Sequence, residues 1–304
     1  MMIQNKIKLI THDGSFHTDD IFAAATLSIL LEKKNKIFEI IRTRDEEIIK
    51  NGDYVFDVGS VYNADKNRFD HHQIGGAGSR SFDGVEIEYA SFGLVWKKFG
   101  IELCGDQKIV DLIEKKLVAP IDAGDNGFNL VELKNTVAPY FIQNAFNSFY
   151  PGWKEVSSET MFSGFLECVK IAQKILNNEI IQARDMVEAE EIIFTTYKNT
   201  KDKRIIVLDK KYPWYEQIKS YPEPLFVIYN RESDGFWAVH TIRENNKDFK
   251  TRKDLPKSWA GLRDKELQKI SDVSDAVFCH RTLFMAVAKS KEGAVKLAEI
   301  ALES

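Results

Sequence analysis

Four of the six histidines in this chain fall in two short segments, and both segments also carry aspartates. The first reads His12-Asp13-Gly14-Ser15-Phe16-His17-Thr18-Asp19-Asp20. On a regular helix His12, His17 and Asp19 would not share a face; in a loop containing Gly14 they can turn toward one point. Asp19 or Asp20 could instead cap a following helix, and His12 and His17 have the plainer reading of ordinary loop histidines. The second segment is Phe69-Asp70-His71-His72-Gln73, followed by Gly75-Gly76-Ala77-Gly78. Neighbouring side chains on extended backbone point to opposite sides, so His71 and His72 are expected to do different jobs, one ligating a metal and the other addressing a phosphate. Asp70 can orient a ring from behind. Two further aspartates stand apart, Asp57 in Val55-Phe56-Asp57-Val58-Gly59 and Asp122 in Pro120-Ile121-Asp122-Ala123-Gly124-Asp125-Asn126-Gly127. A carboxylate in the apolar setting of Asp57 is costly unless paired or metal-bound, whereas Asp122 lies in a turn-rich stretch where Asp is common. Imidazole and carboxylate ligands without thiolate suit Mn²⁺, with Mg²⁺, Co²⁺ and Zn²⁺ inside the same ligand chemistry. Two such ions roughly 3.5–4 Å apart activate water and clamp the oxygens of an in-line displacement. The chemistry implied is hydrolysis of a phosphate ester or anhydride.

Elements must bring these groups together. Ile7–Thr11, Phe38–Arg42 and Tyr54–Val58 read as short strands, and Ile21–Leu31 as a buried helix between the first two. Strands alternating with helices predict an α/β fold with an open, mainly parallel sheet flanked by helices. Functional loops of such sheets lie at the carboxyl ends of strands, where His12 and Asp57 fall. Helical patterns follow over about 90–118 and 159–190, then strands at Ile205–Leu208, Leu225–Tyr229 and Phe236–Ile242, and a last helix at Glu292–Leu302. The change of character near residue 190 predicts two domains: residues 1–190, carrying the metal ligands, and residues 191–304, a smaller α/β domain for substrate.

Composition narrows the class. With 304 residues, 44% hydrophobic and 29% charged, the chain is that of a soluble globular protein. Cys104, Cys168 and Cys279 form no C-x-x-C pair, which argues against a disulfide framework or structural zinc site and fits a reducing cytoplasm. No apolar run is long enough to span a bilayer, and the N-terminus lacks the apolar core of a signal peptide. A net charge of −4 means that a nucleic-acid partner would need a local basic surface.

The motifs resemble the DHH phosphoesterase superfamily, which includes RecJ-type exonucleases and manganese-dependent family II pyrophosphatases. They are closest to the melanocyte-proliferating-gene (MYG) family of metal-dependent exonucleases, and the likeness runs nearly the whole chain. It is carried by Thr11-His12-Asp13-Gly14-Ser15-Phe16-His17, the Asp57 motif, Phe69-Asp70-His71-His72-Gln73 and Ile121-Asp122-Ala123-Gly124-Asp125-Asn126-Gly127, then by Trp259-Ala260-Gly261-Leu262-Arg263-Asp264 and Phe278-Cys279-His280. The resemblance implies a DHH-type N-terminal domain and a ligand division. His12, His17 and Asp57 would hold one ion, and Asp19, Asp57, His71 and Asp122 the other, with Asp57 bridging and His72 facing the phosphate. It also implies 3′-to-5′ exonuclease activity, on RNA. One stretch departs from the family: after His280 the chain reads Arg281-Thr282-Leu283-Phe284-Met285-Ala286-Val287, where the family has glycines that let backbone N–H groups approach a phosphate.

On the substrate side, Arg243–Lys265 holds eight Lys/Arg against four Asp/Glu, and Lys198–Lys211 six against two. Trp237, Phe249 and Trp259 are candidates for stacking on bases, although a solvated charged face and a strand-core Trp237 are the plainer readings. Arg80, Arg252, Arg263, His280 and Lys289 are the candidate phosphate contacts. Three functions follow: an exonuclease on RNA or short oligonucleotides, a phosphatase or pyrophosphatase on a small phosphate compound, and a non-catalytic nucleic-acid-binding or regulatory protein. The sequence leaves monomer and homodimer both open.

Overall fold

In the computed structural model, residues 6–245 and 249–304 are described. The chain divides into two compact units, Met1–Ala183 and Arg184–Ser304.

The first unit is built on five strands: β1 (Ile7–Thr11), β2 (Phe38–Arg42), β3 (Tyr54–Phe56), β4 (Tyr62–Asn63) and β5 (Arg68–Phe69). They lie in the order β2-β1-β3-β5-β4, all parallel except the β4–β5 pair. Between β1 and β2 the chain forms α1 (Thr18–Lys33), buried from Thr18 through Leu31; the short α2 (Glu46–Lys50) precedes β3, and β6 (Ser79–Phe82) pairs with β7 (Val85–Glu88) as a separate hairpin. A helix apolar all round belongs inside a core, and α1 packs against α3 (Ser91–Cys104). β3 stops at Phe56, short of the Val58 expected from the apolar run, because Asp57 turns to φ +55°. Aspartate tolerates that left-handed conformation better than most residues, and the turn ends the strand where its carboxylate is needed.

The stretch around Asp122 is helical, against the turn read from its glycines and aspartates. α4 (Gln107–Ile113) continues through a π-helical turn over Glu114–Val118 into α5 (Ala119–Asp125). Pro120 cannot donate to a helical ladder, and the π turn directly before it absorbs the missing bond. Gly93 on α3 makes room for this helix: a Cβ there would stand 1.8 Å from Asp122 Oδ2. Beyond α5 lie α6 (Ile142–Asn147) and the long α7 (Ser158–Asn199), inside which the division between the units falls.

The second unit holds β8 (Ile205–Leu208), α8 (Tyr215–Lys219), β9 (Phe226–Asn230), β10 (Trp237–Thr241), α9 (Asp264–Ser271), β11 (Ala276–Cys279), β12 (Met285–Ala288) and α10 (Lys291–Glu303). Its sheet runs β11-β12-β10-β9-β8 and is mixed, with β8–β9 parallel and the other pairs antiparallel. Alternation along the strands gives two cores. Ile228 and Val239 face Trp259 and Leu297, while Val227 and Ala238 face Trp214 and the buried Ala189 and Ile193 of α7. Those two residues carry the helical pattern of α7 past residue 190. Among the described residues no helix is long and apolar enough to cross a membrane.

Candidate metal centre

Three strands of the first sheet, β1, β3 and β5, deliver side chains to one point. His12 follows β1 and is 5% exposed; Asp57 follows β3 and is 3% exposed; His71 follows β5. Asp19 and Asp20 occupy the first turn of α1 and are fully buried, where the helix dipole favours carboxylates. The His17 N–H donates to Asp20 Oδ1 at 3.0 Å, fixing the start of the helix.

Asp57 uses its two oxygens differently. Oδ2 lies 3.1 Å from His12 Nε2 and Oδ1 lies 3.3 Å from His71 Nε2. Three groups of donor atoms converge within 4.8 Å of one another: His12, His17 and Asp57; Asp57, His71 and His72; and His17, Asp19 and Asp125. His12 Nδ1 sits 2.9 Å from the Asp13 carbonyl, so with Nδ1–H donating there Nε2 is left facing the carboxylates, the usual arrangement of a ligating imidazole. Buried Asp19 Oδ1 and Asp20 Oδ2 lack a hydrogen-bond donor of good geometry. Buried polar atoms are ordinarily satisfied, and a cluster of acceptors with orphaned atoms fits divalent cations.

The electrostatics agree. Burial pushes the Asp19 carboxyl well up, helped by the charges of Asp57 and Asp125, and burial raises Asp20 against the pull of His12. For Asp57 burial pushes up, but hydrogen bonds from His12 and His71 win and hold it below the usual carboxylate range. Burial opposes charge on His12, yet Asp20 and Asp57 carry it up to about 10; His71 reaches about 10 likewise, with Asp125 and Asp57 outweighing burial. Two imidazolium charges thus occupy the ground that metal ions would neutralise.

The expected site residues fare unequally. His12, His17, Asp19, Asp57 and His71 come together. Asp122 does not: it is buried, its Oδ2 accepts from Arg80 at 2.8 Å and its Oδ1 from the Gly93 N–H at 3.0 Å. Burial lifts it to about 7 despite Arg80. Asp125, one helical turn on, reaches His71 at 3.3 Å in its place. Because the stretch is a helix, Asp122 and Asp125 are neighbours at i, i+3, and only one turns to the cluster. Arg80, expected at a phosphate, is committed to Asp122 and lies 2.7 Å from Glu114. His71 and His72 do not point apart, since Asp70 to His72 is irregular rather than extended; their rings are 4.2 Å apart. They still differ in exposure, at 8% and 59% of the side chain. Asp70 holds the His72 ring, accepting from Nδ1 at 2.8 Å, and this pair raises the His72 pKa.

In the second unit Arg252 donates to the carbonyls of Lys219, Tyr221 and Pro224, so it braces loops. Arg263 lies 4.5 Å over the Phe278 ring, and that ring is 6.1 Å from His280. Lys289 is exposed at the opposite end of the β11–β12 pair, beside Asp275. Of the stacking candidates Trp259 is core, Trp237 is half-buried and Phe249 is 83% exposed. Lys247, within the basic window Arg243–Lys265, lies outside the described residues. Leu283, in the stretch that departs from the family, sits at φ +62°, a conformation that suits glycine.

Four contributors carried no clear signal in the sequence. Asp125 and Asp20 were masked by neighbouring aspartates. Ser91 opens α3, donating its N–H to Asp19 Oδ2 and its hydroxyl to Asp57 Oδ1, both at 3.3 Å. Arg42, at the end of β2, donates to the carbonyls of His12, Gly14 and Ser15 at 3.0–3.2 Å and stacks on Phe16 and Phe165. It is the clamp that holds the ligand loop in shape.

A mainly parallel α/β sheet whose strand ends gather imidazoles and carboxylates into one buried cluster defines the class: an α/β protein with a candidate metal centre. The chain belongs to the MYG1 exonuclease family, described as an uncharacterised protein family (UPF0160), whose model matches residues 8–302. MYG1 protein of Dictyostelium discoideum is 29% identical over 319 residues, covering 96% of this chain and 95% of its own. MYG1 exonuclease of Mus musculus is 29% identical over 332 residues, covering 96% and 84%. MYG1 protein of Chlamydia pneumoniae is 30% identical over 315 residues, covering 96% of each. The structure of CDC45 from Entamoeba histolytica aligns over 98% of this chain and 95% of its own, at 10% identity and a TM-score of 0.28; the fold rests on the sheets described above.

Two outcomes are expected. Arg42→Met should weaken Mn²⁺ binding about 10–100-fold by calorimetric titration, the range for partners that orient metal ligands; unchanged affinity would show that the loop holds its shape alone. In EDTA-treated protein, His12 and His71 are raised from 6.5 to about 10. A raised folded pKa gives stability that is full below pH 6.5 and lost as pH climbs through about 10. The melting temperature of that protein should therefore fall between pH 7 and 10, and a flat profile there would contradict the charged pairs.

Proposed function

We propose that this chain is a two-metal phosphodiester hydrolase, a 3′-to-5′ exonuclease acting on RNA or short oligonucleotides. The observation that carries the reading is the division of the Asp57 carboxylate between His12 and His71, in a chain whose mouse relative is named MYG1 exonuclease. His12, His17 and Asp57 would hold one ion, and Asp19, Asp57, His71 and Asp125 the other. The absence of sulfur among the donors favours Mn²⁺. When bound, the ion pair supplies a nucleophile from water at neutral pH and neutralises charge at the phosphoryl group.

The protein's own groups do the rest. Asp57, with one oxygen toward His12 and the other toward His71, would serve both positions. Asp70 holds His72 by Nδ1 and favours its charged form, so the exposed His72 presents an imidazolium N–H to a phosphate oxygen and stabilises developing charge. In the second unit, Arg263 and His280, gathered around Phe278, are the proposed contacts for the strand. A pyrophosphatase would close cations around a compact anion. In the first unit Arg42 and Arg80 are both committed to the fold, which supports an extended substrate instead. The three free cysteines are all buried and fit a reducing cytoplasm.

With Mn²⁺, the purified chain should shorten 5′-labelled RNA from its 3′ end. Asp57→Asn, which keeps the residue's tolerance of left-handed backbone, should reduce the rate by about 100-fold or more. Intact RNA alongside rapid phosphate release from pyrophosphate would overturn the assignment.

A further inference from the structure

A cavity of about 820 Å³ opens beside the ligand loop. One wall is Asp13, Gly14 and the end of β2 from Ile40 to Arg42; the other is the start of α7 with the residues before it, 156–162. β2 is the open edge of its sheet. Both walls and the candidate metal centre lie in the first unit, and Asp13 and Gly14 follow His12 directly. Two trans peptide steps keep the Cα atoms of His12 and Gly14 within about 7.6 Å, so the cavity adjoins the centre.

Its chemistry selects the ligand. Ile40, Ile41, Met161 and Phe162 are each only half-buried, giving apolar and aromatic surface of the kind that faces a flat ring. Asp13 and Glu159 supply carboxylates. The cation in the wall, Arg42, donates to the three loop carbonyls, and Arg44 lies 3.3 Å from Asp13. A bare phosphate would therefore meet carboxylates and no uncommitted arginine from these two. A neutral ring with exocyclic amino donors would meet apolar faces and acceptors at its edge. A volume of this size suits a small ligand.

The geometry points to a nucleobase pocket here, holding the base of a nucleotide whose phosphate lies at the metal centre. This rests on the exonuclease reading for its place in the reaction, and its test does not. Full-length protein in EDTA is titrated calorimetrically with adenosine and, separately, with ribose 5-phosphate. Adenosine should bind and ribose 5-phosphate should not over the same concentrations. Phe162→Ala should weaken adenosine about tenfold, within the range for losing one stacking ring. Val156→Trp replaces a side chain that is 59% exposed with one that fills the cavity; it should abolish adenosine binding at unchanged melting temperature. No binding of adenosine, as when a protein strand rather than a base occupies the β2 edge, overturns the inference. So does equal binding of the two ligands, or adenosine affinity untouched by Val156→Trp. RNA hydrolysis without adenosine binding would leave the exonuclease reading standing and the pocket refuted; adenosine binding without hydrolysis would do the reverse.

Discussion

The first unit is organised around one carboxylate that must answer two imidazoles. Asp57 is buried among Asp19, Asp20 and Asp125, and burying like charges together is costly unless cations stand beside them. His12 and His71 provide that in the metal-free protein, one on each oxygen of Asp57. The left-handed backbone at Asp57 costs about 1 kcal/mol or less for aspartate, and it aims the carboxylate across the ends of β1 and β5. Ser91 and Arg42 then serve this geometry from outside the cluster, one by hydrogen bonds to Asp19 and Asp57, the other by holding the loop that carries His12.

Much of this was legible in the residues. Apolar runs mark β1, β2 and α1; the run in α1 is continuous because a core helix buries all its faces, while β2 keeps its apolar residues only half-buried at the sheet edge. Two histidine-rich loops and an aspartate at a strand end give five of the donors. What could not be read is what depends on helical phase and long-range contact. Asp122 and Asp125 stand three apart in a stretch whose glycines suggest turns, and only the helix through Pro120 decides which faces the cluster. Arg80 looks like a phosphate ligand in sequence, but a carboxylate distant along the chain engages it, and nothing in the sequence marks Arg42 as the partner of loop carbonyls some thirty residues before it. Short strands such as β4 and β5, two residues each, leave no periodicity to detect.

The second unit shows the same limit. Its basic windows suggest a nucleic-acid surface, yet several of their charges hold the fold. Lys203 donates to the last carbonyls of α7, Arg204 pairs with Asp202, and Arg252 braces three loop carbonyls. Charge counted along a sequence is blind to these partners. Contacts for a strand are better sought where an arginine, an aromatic ring and a histidine share a face, as Arg263, Phe278 and His280 do. Leu283, in the turn between His280 and β12, is held at a left-handed φ, a conformation that suits glycine and that its side chain gives no hint of in sequence.

In the function proposed here Asp57 would serve two ions. Metal content of the EDTA-stripped chain after reloading with Mn²⁺ and removal of excess tests it directly, measured for the native sequence and for Asp57→Asn at matched folding. The account expects two ions per chain in the first and at most one in the second. A native chain that retains none, or an Asp57→Asn chain that retains as many as the native, would contradict it.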